Sequence, residues 1–204
     1  SMRVDWQALA ERTRRVAEVV NGGVAVEISS TNGSRLTLRT DGRIAKGDDG
    51  ILTTAGSFGN LPAGEVYLAP LEGTAEGRLV LEWGPTRKFS SPIELEVRQG
   101  NVVSLRGDDP YCRQLEEKFA ESAKNRNIAE LGIGTNDRAT RPDNVLEAEK
   151  ILGTIHIALG DNAGFGGTVQ TPFHEDFVFY QPTVEIIAAS GSRTTLLNAG
   201  KLQV

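Results

Sequence analysis

The sequence predicts an α+β protein: a largely antiparallel or mixed β-sheet, or a partial barrel, carrying two main helices at about residues 6–20 and 108–124. Three observations predict it. Between Gly23 and Leu105, short apolar-alternating runs follow one another with turn residues between them, and strands this dense on short turns pair antiparallel. Two stretches of helical apolar spacing flank that region. The last third returns to alternating runs, now around the chain's two histidines. At 204 residues the chain can bury one substantial core, so a single domain over 3–204 is expected, with Ser1-Met2 read as a protease-cleavage scar.

The first helix is signalled by Trp6, Leu9, Ala10, Val16, Ala17 and Val20, with Asp5 as its cap and Asn21-Gly22-Gly23 as its stop. Val24 to Ser29 and Leu36 to Arg39 alternate on either side of Thr31-Asn32-Gly33, a hairpin signal. Glu65 to Ala69, Arg78 to Trp83, Ile93 to Arg98 and Val102 to Leu105 read as further strands, punctuated at Asp41-Gly42, Asp49-Gly50 and Gln99-Gly100-Asn101. In the second helix, Asp108 or Asp109 is the expected cap, Pro110 suits the first turn, and Leu115, Phe119 and Ala123 form the stripe. Cys112 within it is expected to pack rather than react. Ile128 to Gly134 reads as a short strand, Val145 to Ile151 as a short helix, Ile155 to Leu159 as a strand ending at Gly160, and Phe177 to Leu197 as two or three closing strands.

Composition excludes several classes of function. A net charge of −5 with no Lys/Arg block argues against a nucleic-acid or anionic-membrane partner. No run is long enough to span a bilayer as a helix, and a lone cysteine fits a reducing, cytoplasmic setting.

Chemistry concentrates at strand ends. Glu65 follows a Pro-x-Gly turn at the start of an apolar strand, and Glu130 precedes Leu131-Gly132-Ile133-Gly134, where glycines permit close approach. His156 sits inside an apolar strand, while His174 and Asp176, two apart on a strand, project to one face. Two imidazoles and three carboxylates without a thiolate favour zinc, cobalt, manganese or iron. Five such groups exceed the need of one catalytic zinc. A pair of divalent ions about 3.5–4 Å apart would use them all. The glycine loop Gly160 to Gly167 lacks dinucleotide-cradle spacing and reads as a pocket wall. Phe165, Phe173 and Phe177 read as core before pocket lining, and Glu149 or Glu175 as conceivable general bases, although Glu175 would point away from its neighbours on a strand.

Four motifs in this order carry a family resemblance: Asn60 to Tyr67, Glu130 to Asn136, Glu149 to Gly160, and His174-Glu175-Asp176. Together they resemble the catalytic half of the thermophilic M29 metallo-aminopeptidases, the aminopeptidase T or leucyl aminopeptidase type, over nearly the whole chain. The resemblance implies the C-terminal catalytic domain of a longer chain, two divalent metals (zinc, cobalt or manganese) on Glu65, Glu130, His156, His174 and Asp176, a peptide substrate and a homodimer of the full-length form. The family's tyrosine beyond the first histidine is missing from Asn162-Ala163-Gly164-Phe165. The same fold resemblance extends to the 2,5-dihydroxypyridine dioxygenases, which implies one iron(II) on His156, His174 and Asp176. Retention of Glu65 and Glu130 favours a metallo-aminopeptidase hydrolase as the main expectation, with the ring-cleaving dioxygenase as the alternative and a non-catalytic metal-binding module as the third reading.

Overall fold

A computed structural model of the chain describes residues 1–57 and 59–204. Helix α1 (Trp6–Asn21) begins where Asp5 accepts hydrogen bonds from the Gln7 and Ala8 backbone N–H groups, and it buries Leu9, Thr13, Val16 and Val20. It is followed by β1 (Ala25–Ser29), β2 (Arg35–Arg39), β3 (Lys46–Asp48), β4 (Glu65–Leu68), β5 (Glu76–Trp83), β6 (Lys88–Arg98) and β7 (Asn101–Arg106). Helix α2 spans Tyr111–Glu121, and a short 3-10 turn, Ala123–Arg126, leads into β8 (Ile128–Gly134). Then come α3 (Val145–Ala148), β9 (Ile155–Gly160), β10 (His174–Phe179), β11 (Thr183–Ile187), β12 (Arg193–Asn198) and β13 (Lys201–Leu202). Among the described residues no helix is long and apolar enough to cross a membrane.

Among the described residues the strands form two antiparallel sheets. The larger runs β13-β12-β11-β1-β2-β5-β6-β7 and the smaller β10-β9-β8-β4-β3, and neither closes into a barrel. Strands in the larger sheet bury alternate residues: Leu36 and Leu38 of β2 face inward while Arg35, Thr37 and Arg39 stay in water. The inward faces of both sheets share one apolar core that includes Val26, Leu38, Leu79, Leu95, Leu131, Ile157 and Phe177. Cys112 packs in that core, as expected.

The smaller sheet positions the site. Val66 and Leu68, Leu131 and Ile133, Ile155, Ile157 and Leu159, and Phe177 and Phe179 belong to the shared core. Period-2 alternation therefore sends Glu65 and Tyr67, Glu130 and Gly132, His156 and Ala158, and His174 and Asp176 to the opposite face. That second face is covered too, since every residue of β8 and β9 is buried. The register slips by one residue between Ile128 and Glu130, a β-bulge that keeps Ile128 in the core while Glu130 points away from it.

The second helix is shorter than its apolar spacing suggests. Pro110 has helical backbone angles and takes the N-cap position without a side-chain bond, so the helix proper starts at Tyr111. Asp109 performs the capping from one residue earlier, accepting from the Tyr111 N–H at 2.9 Å. Its carboxylate also accepts from Arg87 at 2.7 and 2.9 Å and from the backbone N–H and hydroxyl of Ser90. The Arg87 guanidinium and this ring of donors hold its carboxyl below the usual carboxylate range. Asp109 thus ties β6 to α2 from a buried position. Replacing Asp109 by Ala should lower unfolding free energy by roughly 1–3 kcal/mol, because it removes the bonds from Arg87, Ser90 and Tyr111 at once; denaturant melts of the two proteins, with equal m-values, check this.

Candidate metal centre

All five residues expected from the sequence converge. Glu65, Glu130, His156, His174 and Asp176 line one cavity of about 320 Å³, together with Asn60, Tyr67, Val145, Leu146 and Glu149. The convergence follows from strand register. In the smaller sheet, Gly132 stands between Tyr67 and His156, and Ala158 stands between Glu130 and Asp176. The alternation of small residues with functional ones leaves room for long side chains to lean across their neighbours. The His156 ring occupies the space over Gly132, where an added Cβ would collide with the imidazole.

The contacts form a connected chain. His156 Nε2 lies 3.4 Å from Glu130 Oε1 and 3.5 Å from Glu65 Oε2. His174 Nε2 lies 3.4 Å from the other oxygen of Glu130 and 3.6 Å from Asp176 Oδ1. His174 Nδ1 lies 2.8 Å from the Asp161 carbonyl oxygen, so Nδ1 carries the proton and donates it, leaving Nε2 as the ligand atom facing the carboxylates. Two donor atoms stay open: His156 Nδ1 and Asp176 Oδ1 are buried and have no hydrogen-bond partner. Glu130, His174 and Asp176 bring their ligand atoms within 4.8 Å of one another, and so do Glu149, His156 and Asp176. Either group can hold a metal ion by chemistry and spacing, and Asp176 is common to both.

Two residues of the centre escaped the sequence reading in these roles. Glu149, weighed there only as a general base, stands among the ligand-type groups. Lys150, 1% exposed, places its ammonium 2.6 Å from Glu65 Oε1 and 2.7 Å from Glu149 Oε1. In the sequence, Glu147-Ala148-Glu149-Lys150 looks like a solvated helix surface, and only packing over the smaller sheet buries it. Glu175 points away as expected: its carboxylate accepts from the Tyr111 hydroxyl on the far side. Phe173 and Phe177 are core, but Phe165 is not: it meets Tyr67 and His174 edge-on, each with ring centroids 5.9 Å apart.

Electrostatics follow from these contacts. Burial raises Glu65 to about 7, against the pull of His156 and Lys150. Burial acts the same way on Glu130, but hydrogen bonds and charge from both imidazoles overcome it and hold that carboxyl down to about 2. Burial opposes charge on His156, yet Glu130, Asp176 and Glu65 raise it to about 10. Asp176 and Glu130 likewise raise His174 to about 11. Burial also raises the Tyr67 phenol, and the charges of Glu65 and Glu130 add to it, so it stays a neutral donor.

The comparisons with known proteins come down on one side. The model of the 2,5-dihydroxypyridine 5,6-dioxygenase family (NicX) matches residues 3–190. The 2,5-dihydroxypyridine 5,6-dioxygenase of Pseudomonas putida KT2440 is 28% identical over 137 residues, 59% of this chain and 39% of that protein. The solved structure of 2,5-dihydroxypyridine dioxygenase from Pseudomonas putida KT2440 aligns with a TM-score of 0.84 at 20% identity, covering 97% of this chain and 60% of that one. Wild-type AmpT from Thermus thermophilus aligns with a TM-score of 0.76 at 19% identity, covering 98% and 56%. The chain therefore spans less than two thirds of each of these relatives. The likeness to AmpT supports the M29-like fold but, at that identity, carries no chemistry. The family match overturns the main expectation of a metallo-aminopeptidase hydrolase and favours the alternative.

Two outcomes follow from the geometry. In metal-free protein both imidazoles keep their protons in the fold where an unfolded chain, with an ordinary value of 6.5, releases them. That stabilisation is complete below about pH 6.5 and is lost as pH rises through about 10. Melting temperature should therefore fall more steeply over this window in metal-free wild type than in His156→Gln, and parallel curves would contradict it. Gly132→Ala should displace the His156 ring, lowering stability by roughly 1–3 kcal/mol and weakening Mn²⁺ binding in calorimetric titration.

Proposed function

The chain belongs to the 2,5-dihydroxypyridine 5,6-dioxygenase family, and from that membership we propose that it carries the metal centre of an iron(II)-dependent dioxygenase that opens a dihydroxylated pyridine ring. The observation that carries this reading is that His156, His174 and Asp176 line one cavity, with Asp176 common to the ligand-type groups of both imidazoles. Two imidazoles and one carboxylate are the donor set that suits a non-haem iron(II) ion using dioxygen. Such an ion supplies one-electron exchange with dioxygen, which these side chains alone do not provide.

The chain's own residues do the rest. His174 is oriented by its hydrogen bond to the Asp161 carbonyl, and His156 by its bed on Gly132. Glu130 lies against both imidazoles, fixes their orientation and takes up their charge in the absence of metal. Tyr67 and Phe165 present an aromatic corner beside His174, shaped for a flat ring, and the neutral Tyr67 hydroxyl can donate to a ring oxygen or nitrogen. Leu146 and Val145 line the cavity from α3 and give it an apolar side.

The test is anaerobic preparation of the chain without chelators, followed by metal analysis and oxygen-electrode assays with 2,5-dihydroxypyridine. The reading expects about one iron per chain, lost in His174→Ala, with oxygen uptake matched to the disappearance of the pyridine. A chain that takes up no iron on reconstitution, or that consumes the pyridine without oxygen, overturns it.

A further inference from the structure

Lys150 is used by neither the donor set nor the aromatic corner, yet it is among the most buried side chains of the protein. Its main chain is fixed, since its carbonyl accepts from the Asn136 N–H at 2.8 Å and its own N–H donates to the Glu147 carbonyl at 3.1 Å. Its ammonium therefore arrives between Glu65 and Glu149 by construction of the fold, at 2.6 and 2.7 Å.

The donor atoms around it are more numerous than one ion needs. Glu130, His174 and Asp176 make one ligand-like group, and Glu149, His156 and Asp176 make a second that shares Asp176. Two groups joined by a shared carboxylate are the arrangement of a two-cation centre. The imidazole of the second group, His156, is buried. However, the carboxylate that completes this second group is already paired with the Lys150 ammonium. A dication placed there would sit beside a fixed positive charge in a buried setting, where repulsion is screened far less than in water. One dication with Lys150 leaves the four carboxylates short of neutrality by a single charge, and a second would make the cluster positive.

We propose that Lys150 is a built-in cation that takes the electrostatic place of a second metal ion and restricts the centre to one. The inference rests on the single-metal reading given above. It makes Lys150 a residue that determines metal stoichiometry rather than one that touches substrate.

The experiment measures bound Mn²⁺ per chain by equilibrium dialysis and elemental analysis, using Mn²⁺ alone as the probe. Wild type and Lys150→Arg should each hold about one ion, Lys150→Gln about two, and the Lys150→Gln/Glu149→Gln double variant about one again. A folded Lys150→Gln chain that stays at one ion overturns the proposal while leaving the single-metal reading intact. Should Lys150→Gln be unfolded without metal, recovery of its circular dichroism on adding Mn²⁺, with two ions bound, supports the proposal, and failure to recover overturns it. A wild-type value of two, or of none, overturns the single-metal reading and this inference together.

Discussion

Charge that must be buried is the constraint to which the rest of the molecule answers. Four carboxylates, two imidazoles and an ammonium meet on one face of a five-stranded sheet. Each ion left alone there would cost several kcal/mol in lost hydration, so each must find a counter-charge or a metal. Glu130 lies between the imidazoles, and Lys150 lies between Glu65 and Glu149. His156 Nδ1 and Asp176 Oδ1 are buried without a hydrogen-bond partner, so the cluster's polar atoms are not all satisfied within the chain. The same logic sets the residues in between. Gly132 and Ala158 are small because the charged side chains must cross over them to meet.

The sheet converts sequence parity into this arrangement. On β8, β9 and β10 one set of alternate residues joins the shared core and the other set builds the centre. A slip of one residue would exchange the two sets, exposing Leu131 and Ile157 to the charges and driving Glu130 and His156 into the core. Register is therefore held from both sides, by apolar packing below and ion pairing above. The bulge at Ile128 shows how finely the parity is used, because it changes faces once along a single strand.

Much of this was legible in the sequence because period 2 is a local property. Ile128–Gly134 stands as read, and the two histidines, Asp176, Glu65 and Glu130 all reach one cavity. What the sequence hid was the pairing of charges at long range. Glu65 counts as a free donor in the chain's order, but 85 residues later Lys150 occupies one of its oxygens. A count of donors that leaves out their counter-ions overstates the atoms free to hold metal, and with it the case for a peptidase. Glu149 and Lys150 were invisible as site residues for a related reason. Their burial comes from α3 lying over the sheet, which no local pattern encodes. Residue type alone puts Phe165 in the core, whereas the glycine-rich loop carries it against the edge of His174.

That loop is tied to the connections that run between the two sheets. Asn162 is fully buried; its amide donates to Glu72, and its carbonyl oxygen accepts from the Val169 N–H. Gly167 closes against the same Asn162 side chain so tightly that a Cβ would collide with it. Glu72 accepts a further bond from the Thr168 N–H and pairs with Arg43, so it lies between the β2–β3 connection and the loop after β9. These bonds, with burial opposing them, keep the Glu72 carboxyl below its ordinary value, as expected of a carboxylate satisfied on several sides. An aromatic wall on a free glycine-rich loop would sample many positions. Tied through Glu72 to segments packed on the large core, Phe165 is held beside Tyr67 and His174. The connections between the two sheets thus hold Phe165 in place, while the smaller sheet supplies the ligand-type side chains.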